Sequence, residues 1–298
     1  MEPSYRKIAT LASGDEYTLF NPATPWILGD SRIYIWDGGD YKLKAFTPTG
    51  RFVGTYGRGK GSGPGEVKVY RNVGLVRDSL YVFDPMNRRL SFFGKDGRFG
   101  RSKQYRERVS NVAWAGDSIR YELHGGPGTP PSFNIIDLPS GHRTTVRNLL
   151  PEDLHPIVFD GVLFSPKRKA VYVPRYFPLL LTFSPGDTTA TAYPTPDYGE
   201  VPVPEARRQG SARQGVIRPP TNRLHAKTTL HEGVLSIQTP TAEDSLAFDL
   251  YDAQTMEYMH SVRVPITGDR SKYAYGMGLL VAEQDTTMDV YSVEHPEQ

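Results

Sequence analysis

The 298-residue chain contains no cysteine, and this absence excludes several kinds of chemistry at once. Without thiols there is no disulfide, no zinc–thiolate site and no cysteine nucleophile. The chain also lacks any run of 18 or more apolar residues, so the sequence predicts no membrane-spanning helix. A protein without cysteine is compatible with a reducing or an oxidising compartment, because it needs no disulfide in either.

An excess of one sign of charge is missing as well. The 35 basic and 33 acidic residues give a formal net charge of +2, which favours no class of partner. Residues 1–5 lack the basic and apolar regions of a signal peptide. Because a chain whose leader had been removed would begin in the same way, an exported location stays open.

Short strands and turns are abundant. The chain has 29 Gly and 25 Pro, which suit many tight turns, together with 18 Tyr and 13 Phe. Its apolar stretches are short, alternate with a period of two and are rich in Val, Ile, Tyr and Phe. This pattern is typical of an all-β protein, and it favours no long helix.

Residues 30–54 and 78–100 contain the same succession of elements. Each copy has Asp-Ser, an apolar run that ends in Asp, a polar gap, a second apolar run, a turn and Gly-Arg-Phe. The offset from Ile33 to Leu80 is 47 positions. A repeat of this length is typical of propellers and related arrays, in which each repeat forms one small sheet.

Counting strands beyond the two clear copies predicts five four-stranded units and a sixth unit with three strands. A strand at residues 5–11 pairing with residues 288–293 would complete the sixth sheet and remove its open edge. The sequence therefore predicts one all-β domain over residues 1–298, a six-bladed β-propeller closed by its N-terminal strand. A further short strand is predicted at residues 17–20. A long insertion at about 197–222 shows no strand character.

The two clear copies resemble the NHL-repeat family of six-bladed propellers over about residues 26–105. The resemblance lies in two strands, the runs that follow them, two turns and a glycine-rich connector: residues 33–37, 80–84, 44–46, 90–93, 49–53, 96–99 and 61–66. More narrowly, the whole chain looks like bacterial six-bladed propellers found as exported, stand-alone domains. The resemblance implies a monomeric, non-enzymatic binding protein in the periplasm or outside the cell, with a cytoplasmic location as the alternative.

In a propeller, the loops between second and third strands and the links between blades share one face, where binding residues concentrate. This predicts a binding face for an unidentified ligand or protein partner. Its candidate residues are Asp37, Asp40, Tyr41, Asp84, Arg88, His124, Arg175, Tyr176 and Glu243. The alternative for Asp37 and Asp84 is structural: each would hold a turn through hydrogen bonds from backbone N–H groups.

The 197–222 insertion is locally basic, and Arg207, Arg208 and Arg213 make it a candidate anion-binding flap for RNA or another polyanion. The alternative is a solvated loop, since the insertion lacks interleaved aromatic residues for base stacking. The glycine-rich link at 57–66 lacks the Gly-Lys-Ser/Thr ending of a phosphate loop.

A catalytic alternative comes from related six-bladed lactonases and lyases, which assemble metal sites from several blades. Asp37, Asp84, His124, Arg175 and Glu243 could in that case converge on an axial divalent cation such as Ca²⁺. No Gly-x-Ser-x-Gly motif supports an ordinary serine hydrolase. The binding module is the first hypothesis, no cofactor is expected for it, and the metal-dependent hydrolase or lyase is the second.

Overall fold

The computed structural model describes residues 3–126, 129–147, 160–196, 205–207, 216–218, 228–241, 245–265 and 273–294. Within these ranges all regular structure is β-strand. Six four-stranded antiparallel sheets form the blades of a β-propeller, as the repeat predicted, and one additional sheet has two strands. Since the described ranges contain no helix, they offer no helical segment that could cross a bilayer.

The chain divides into two compact units, residues 1–106 with 227–298 and residues 107–226. The first unit holds four blades. Blade 1 consists of β2 (Pro22–Leu28), β3 (Arg32–Asp37), β4 (Lys42–Phe46) and β5 (Phe52–Tyr56). Blade 2 consists of β6 (Asn72–Val76), β7 (Ser79–Asp84), β8 (Arg89–Gly94) and β9 (Phe99–Gln104). Blade 5 consists of β20 (Thr228–His231), β21 (Val234–Pro240), β22 (Ser245–Asp252) and β23 (Tyr258–Pro265). Blade 6 consists of β24 (Tyr273–Gly276), β25 (Leu279–Gln284), β26 (Thr287–Glu294) and β1 (Ser4–Leu11).

The second unit holds blades 3 and 4. Blade 3 consists of β10 (Val109–Ala115), β11 (Ile119–Gly126), β12 (Thr129–Asp137) and β13 (Arg143–Val146). Blade 4 consists of β14 (Gly161–Phe164), β15 (Ala170–Pro174), β16 (Leu179–Phe183) and β17 (Thr191–Pro194). That both units belong to a single domain stays a prediction.

The insertion at 197–222 is not free of strands, so that part of the prediction is wrong. Within it, β18 (Glu205–Arg207) pairs with β19 (Val216–Arg218), and Ala206 lies opposite Ile217. Three residues are too few to show a period of two, which is why the sequence pattern did not reveal either strand.

The N-terminal strand β1 is the outermost strand of blade 6. It runs antiparallel to β26, with Tyr5 opposite Val293 and Leu11 opposite Met288. The predicted pairing is therefore confirmed. A salt bridge of 2.8 Å between Lys7 and Asp289 also joins the two strands. The N-terminal strand thereby covers the edge that β26 would otherwise expose.

The strand predicted at residues 17–20 is wrong. Tyr17 makes one isolated bridge to Gly14, and the residues that follow form a loop. The Tyr17 ring stacks on Phe52 with centroids 4.2 Å apart, and the Leu19 amide donates to the Ser13 hydroxyl. These apolar side chains pack onto the neighbouring blade as a loop, a tertiary contact that local alternation does not reveal.

The middle strands of each blade are buried on both faces. In β3, Ile33 and Ile35 pack with Val281 of blade 6, whereas Tyr34 packs with Leu80 of blade 2. Strands buried on both sides have no solvent-facing positions, so they appear in the sequence as continuous apolar runs. Contact between blades 1 and 2 is close: Gly97 has φ 80°, and a Cβ there would lie 2.2 Å from the Thr55 carbonyl oxygen.

Leu11 connects the closing strand to the core. It is fully buried among Ile27, Ile33 and Met288. We expect Leu11→Ala to lower the free energy of unfolding by about 2–5 kcal/mol, because it removes buried methyl groups and leaves a cavity. Arg6→Ala on the exposed part of the same strand should change it by only about 0.5 kcal/mol. Urea unfolding of both variants measures the difference, and equal effects would contradict a structural role for β1.

Candidate binding face

Three segments of the first unit lie together on one face. They are the β3–β4 turn at 38–41, the β7–β8 turn at 85–88 and the link at 57–71 between blades 1 and 2. The Tyr70 hydroxyl donates to the Tyr41 carbonyl over 2.9 Å, and the Asn87 side-chain amide donates to the Gly61 carbonyl over 2.7 Å. For these segments, the prediction that turns and links share one face is confirmed.

Asp37 and Asp84 occupy equivalent buried positions at the ends of β3 and β7. The Asp37 carboxylate accepts the backbone N–H groups of Phe20 and Asn21, both over 2.8 Å, and of Gly39 over 2.9 Å. Each of these bonds is charge-assisted. Asp37 thus holds the segment leading into its blade and the turn that follows β3.

Asp84 does the same in blade 2. It accepts the N–H groups of Lys68 over 2.7 Å, of Met86 over 2.9 Å and of Asn87 over 3.1 Å. The structural alternative drawn from the sequence, in which these aspartates hold turns, describes the observed hydrogen bonds.

Blade 1 adds a buried charge cluster that blade 2 lacks. The Lys44 ammonium is almost fully buried, contacts Asp37 and lies 2.9 Å from Asp40. Burial raises the pKa of Asp37, but the Lys44 ammonium and the three N–H donors outweigh it, so the pKa lies below its usual 3.8. At the corresponding positions, 47 residues later, blade 2 has Ser91 and Asn87.

The glycine-rich link is folded around a side chain of its own. The Gly63 N–H donates to Glu66 over 2.6 Å, and the Arg58 N–H donates to the Gly65 carbonyl over 2.9 Å. Gly57 has φ 98°, and a Cβ there would lie 2.8 Å from the Tyr70 hydroxyl. Because Glu66 already occupies the Gly63 amide, this loop does not present a row of free N–H groups to a phosphate.

A shallow depression of about 480 Å³ lies beside the β7–β8 turn. Its lining residues are Ser62, Lys68, Met86, Asn87, Arg88, Arg89 and Gln104. The Arg89 guanidinium donates to the carbonyl groups of Ser62 and Gly63, and Arg88 donates to the Arg106 carbonyl over 3.3 Å. These two arginines therefore bond to neutral carbonyl groups, which leave their positive charges uncompensated.

The depression carries net positive charge, because its cations have no acidic partners among the described residues. In the described ranges, no carboxylate lies within 4.0 Å of the charged groups of Lys68, Arg88 or Arg89. At the opposite end of the same blade, by contrast, Lys95 pairs with Asp78 and Arg98 pairs with Asp96. Among the described residues, these two cations at the opposite end are paired with acids, whereas Lys68, Arg88 and Arg89 on the loop face are not.

Of the depression's residues, only Arg88 is among the individually named candidates, although the segments 58–68 and 84–88 are both predicted to lie on the binding face. The local charge could have indicated the others. Residues 57–106 contain twelve Lys or Arg against four Asp or Glu, an excess of eight positive charges in a chain of net charge +2. The total conceals this excess because the remainder of the chain is acidic.

In the second unit, His124 lies between two carboxylates. Its Nε2 is 2.9 Å from Glu122, and its Nδ1 is 3.2 Å from Glu107. The Arg120 guanidinium lies 2.7 Å from the other oxygen of Glu122. Arg120, Glu122 and His124 alternate along β11 and so share one side of blade 3. Arg120 and His124 are therefore both paired with Glu122 of the same strand.

The other candidates are distributed differently. Arg175 lies 3.4 Å from Asp160, and Tyr176 is buried with 1% of its surface exposed. Tyr41 is half-buried, with the Lys60 ammonium 4.7 Å from its ring centroid. Arg207 lies on β18 opposite Val216. Three candidates fall outside the described residues: Glu243, Arg208 and Arg213.

The axial cation stays a prediction. Across the described ranges, no group of three or more His, Asp or Glu side chains is arranged to hold a metal ion. The carboxylate oxygens of Asp37 and Asp84 accept backbone N–H groups, and the ring nitrogens of His124 contact neighbouring carboxylates.

No protein-family model and no curated protein matches the chain. Solved structures match it along almost its whole length. A Bacteroides fragilis protein predicted to be exported is 12% identical with a TM-score of 0.60, covering 99% of this chain and 95% of its own. The Pan2 WD40 domain of Neurospora crassa is 9% identical with a TM-score of 0.55, covering 99% and 97%. A streptogramin B lyase is 10% identical with a TM-score of 0.53, covering 98% and 97%.

The TM-scores establish a common fold, and identities this low establish nothing finer. The chain is a β-propeller. The NHL-repeat resemblance stays a prediction, and the similar structures include a lyase and a WD40 domain, so the fold by itself does not select a function.

The contribution of the Lys44 cluster to stability can be measured with Lys42, on the same strand, as the control. Lys44→Met should lower the free energy of unfolding by about 3–5 kcal/mol, because it leaves the buried Asp37 carboxylate without its cation. Lys42→Met, which removes a lysine that forms no ion pair with any described residue, should cost at most about 1 kcal/mol. Urea unfolding at neutral pH compares the two, and similar losses would show that the cluster does not stabilise blade 1.

The destabilisation by Lys44→Met should depend on pH. A lowered Asp37 pKa contributes stability above the unfolded value and loses it as pH falls through the folded value. Because the unfolded state is common to both proteins, the difference in stability between wild type and Lys44→Met should be full at neutral pH and be lost as pH falls through the lowered pKa of Asp37 in the folded wild type. In an Asp37→Asn background, where only the Asp40 carboxylate beside Lys44 still titrates, the effect of Lys44→Met should depend less on pH. A constant difference in both backgrounds would refute the assignment to Asp37.

Proposed function

We propose that this protein is a non-enzymatic binding module that takes an anionic ligand in the depression of blade 2. The observation that carries the proposal is a set of three cations, Lys68, Arg88 and Arg89, on the face formed by the turns and the link, with no carboxylate partner in the part of the chain that the structure describes. An incoming carboxylate, sulfate or phosphate would form charge-assisted hydrogen bonds there without first breaking an ion pair.

The scaffold beneath these cations is held firmly. Arg89 is oriented by two carbonyl groups of the link, and Asp84 holds the backbone at Lys68 and at the β7–β8 turn. Because these segments are already held in place, ligand binding orders little additional backbone, and the entropic cost of binding is lower. The depression is also shallow, whereas small-molecule and catalytic sites usually enclose most of their ligand. A shallow cationic surface favours a larger anionic partner.

Two further functions are proposed for other parts of the chain. Polyanion binding through Arg207, Arg208 and Arg213 of the 197–222 insertion is a separate surface in the other unit. A metal-dependent hydrolase or lyase is the catalytic alternative, and no arrangement of the described residues favours it. An exported, monomeric protein is part of the proposal through its resemblance to exported bacterial propellers.

Two double variants distinguish the effect of the depression's local charge on binding from the effect of the protein's net charge. We expect the double variant Lys68→Glu/Arg88→Glu to weaken binding of a fluorescein-labelled heparin fragment by roughly tenfold or more, since two attractive contacts become repulsive. The control, Lys95→Glu/Arg98→Glu, makes the same change in net charge at the opposite end of blade 2 and should have little effect. Fluorescence anisotropy at about 50 and 200 mM salt measures both, and wild-type binding should fall with salt.

Equal losses in the two double variants would mean that heparin responds only to net charge, and the proposal would fail. Binding that neither variant weakens would exclude blade 2 and direct attention to the insertion.

A further inference from the structure

The depression combines positive charge with an exposed apolar side chain. Four large hydrophobic side chains are exposed in the described residues: Phe20 at 59%, Met86 at 68%, Tyr258 at 46% and Met259 at 50%. Met86 has the highest exposure and lies in the depression with Lys68 and Arg88. We infer that the ligand is an acidic peptide segment that also carries an apolar side chain, an inference that rests on the proposed function.

The backbone presents Met86 in a defined position. Its N–H donates to the buried Asp84 carboxylate over 2.9 Å, and the Arg88 N–H closes the turn onto the Pro85 carbonyl over 3.3 Å. A thioether on a fixed backbone adapts its own rotamers to an irregular apolar surface. Met86 is therefore suited to accept a hydrophobic side chain from a partner.

Blade 1 has an exposed aromatic residue next to its corresponding turn, contributed by the segment that precedes β2. The Phe20 N–H donates to Asp37 over 2.8 Å, and a Cβ built at Gly39 would lie 2.3 Å from the Phe20 Cβ. Phe20 thus lies beside the β3–β4 turn, as Met86 lies in the β7–β8 turn. In two neighbouring blades, the strand-end aspartate holds the backbone of an exposed apolar residue on the same face. Phe20 therefore offers a second exposed apolar side chain on this face, in the neighbouring blade.

The composition of the depression favours a peptide over a nucleic acid. None of its seven lining residues is aromatic, whereas single-stranded nucleic acids bind by stacking bases on aromatic rings. The amide groups are also engaged: Asn87 bonds to Gly61 and Ser62, and Gln104 bonds to the Asn87 carbonyl. With its amides committed, the depression offers cations and one thioether, which are complementary to carboxylates and an apolar side chain.

Fluorescence anisotropy with three probes tests the inference. The probes are a labelled peptide alternating Glu with Leu, an all-Glu peptide of the same net charge, and an oligouridine of the same charge. We expect the Glu-Leu peptide to bind most tightly. Met86→Ser should weaken it about tenfold, which corresponds to about 1.4 kcal/mol, because the thioether would no longer bury apolar surface of the peptide. The all-Glu peptide, which has no apolar side chain, should be unaffected.

Met259→Ser is the matched control, because it removes another exposed methionine, on β23 of blade 5. It should not change binding of any probe. If both peptides bind equally and Met86→Ser has no effect, the apolar contact is absent and the inference fails, while Lys68→Glu/Arg88→Glu still reports on the anion site. Tighter binding of oligouridine than of either peptide would also overturn it. Binding that is insensitive to the charge reversal would instead contradict the proposed function itself.

Discussion

A buried carboxylate at the end of the second strand organises the binding face of the first unit. In blades 1 and 2 this group, Asp37 or Asp84, accepts three backbone N–H groups, from the segment leading into the blade and from the turn after the strand. Loops otherwise leave such donors to water. Because one side chain holds two segments distant in sequence, the loops that carry the candidate contacts are fixed to the sheet below them.

The two blades use the same carboxylate in different electrostatic surroundings. Blade 1 surrounds Asp37 with Lys44 and Asp40, so its charges are compensated internally. Blade 2 has Ser91 and Asn87 at the corresponding positions. Its cations lie above the carboxylate, on the surface, where no acidic side chain in the described ranges pairs with them. A repeated fold has thus retained the geometry of the turn while its charge has diverged, and this divergence separates a structural blade from a candidate binding blade.

Charge balance over the whole chain conceals this local asymmetry. The net charge of +2 gives no reason to expect an anionic partner, yet fifty consecutive residues carry an excess of eight positive charges. Electrostatic attraction acts over about 8–10 Å at physiological salt, so a partner responds to the local surface and not to the sum. The binding face therefore has to be described blade by blade.

The sequence by itself determined the number of blades, the closing pair of residues 5–11 with 288–293 and the structural use of Asp37 and Asp84. Each of these follows from local chemistry: a period of two, a repeat of 47 residues, and aspartates that precede turns. Only the tertiary structure decided that residues 17–20 pack as a loop, that Lys44 is buried between two aspartates and that Lys68, Met86, Arg88 and Arg89 share one depression. The link and the turn that form this depression are about twenty residues apart, and they are joined by hydrogen bonds from Asp84, Asn87 and Arg89 to the backbone of the link. Long-range contacts of this kind leave no periodic signal in the chain.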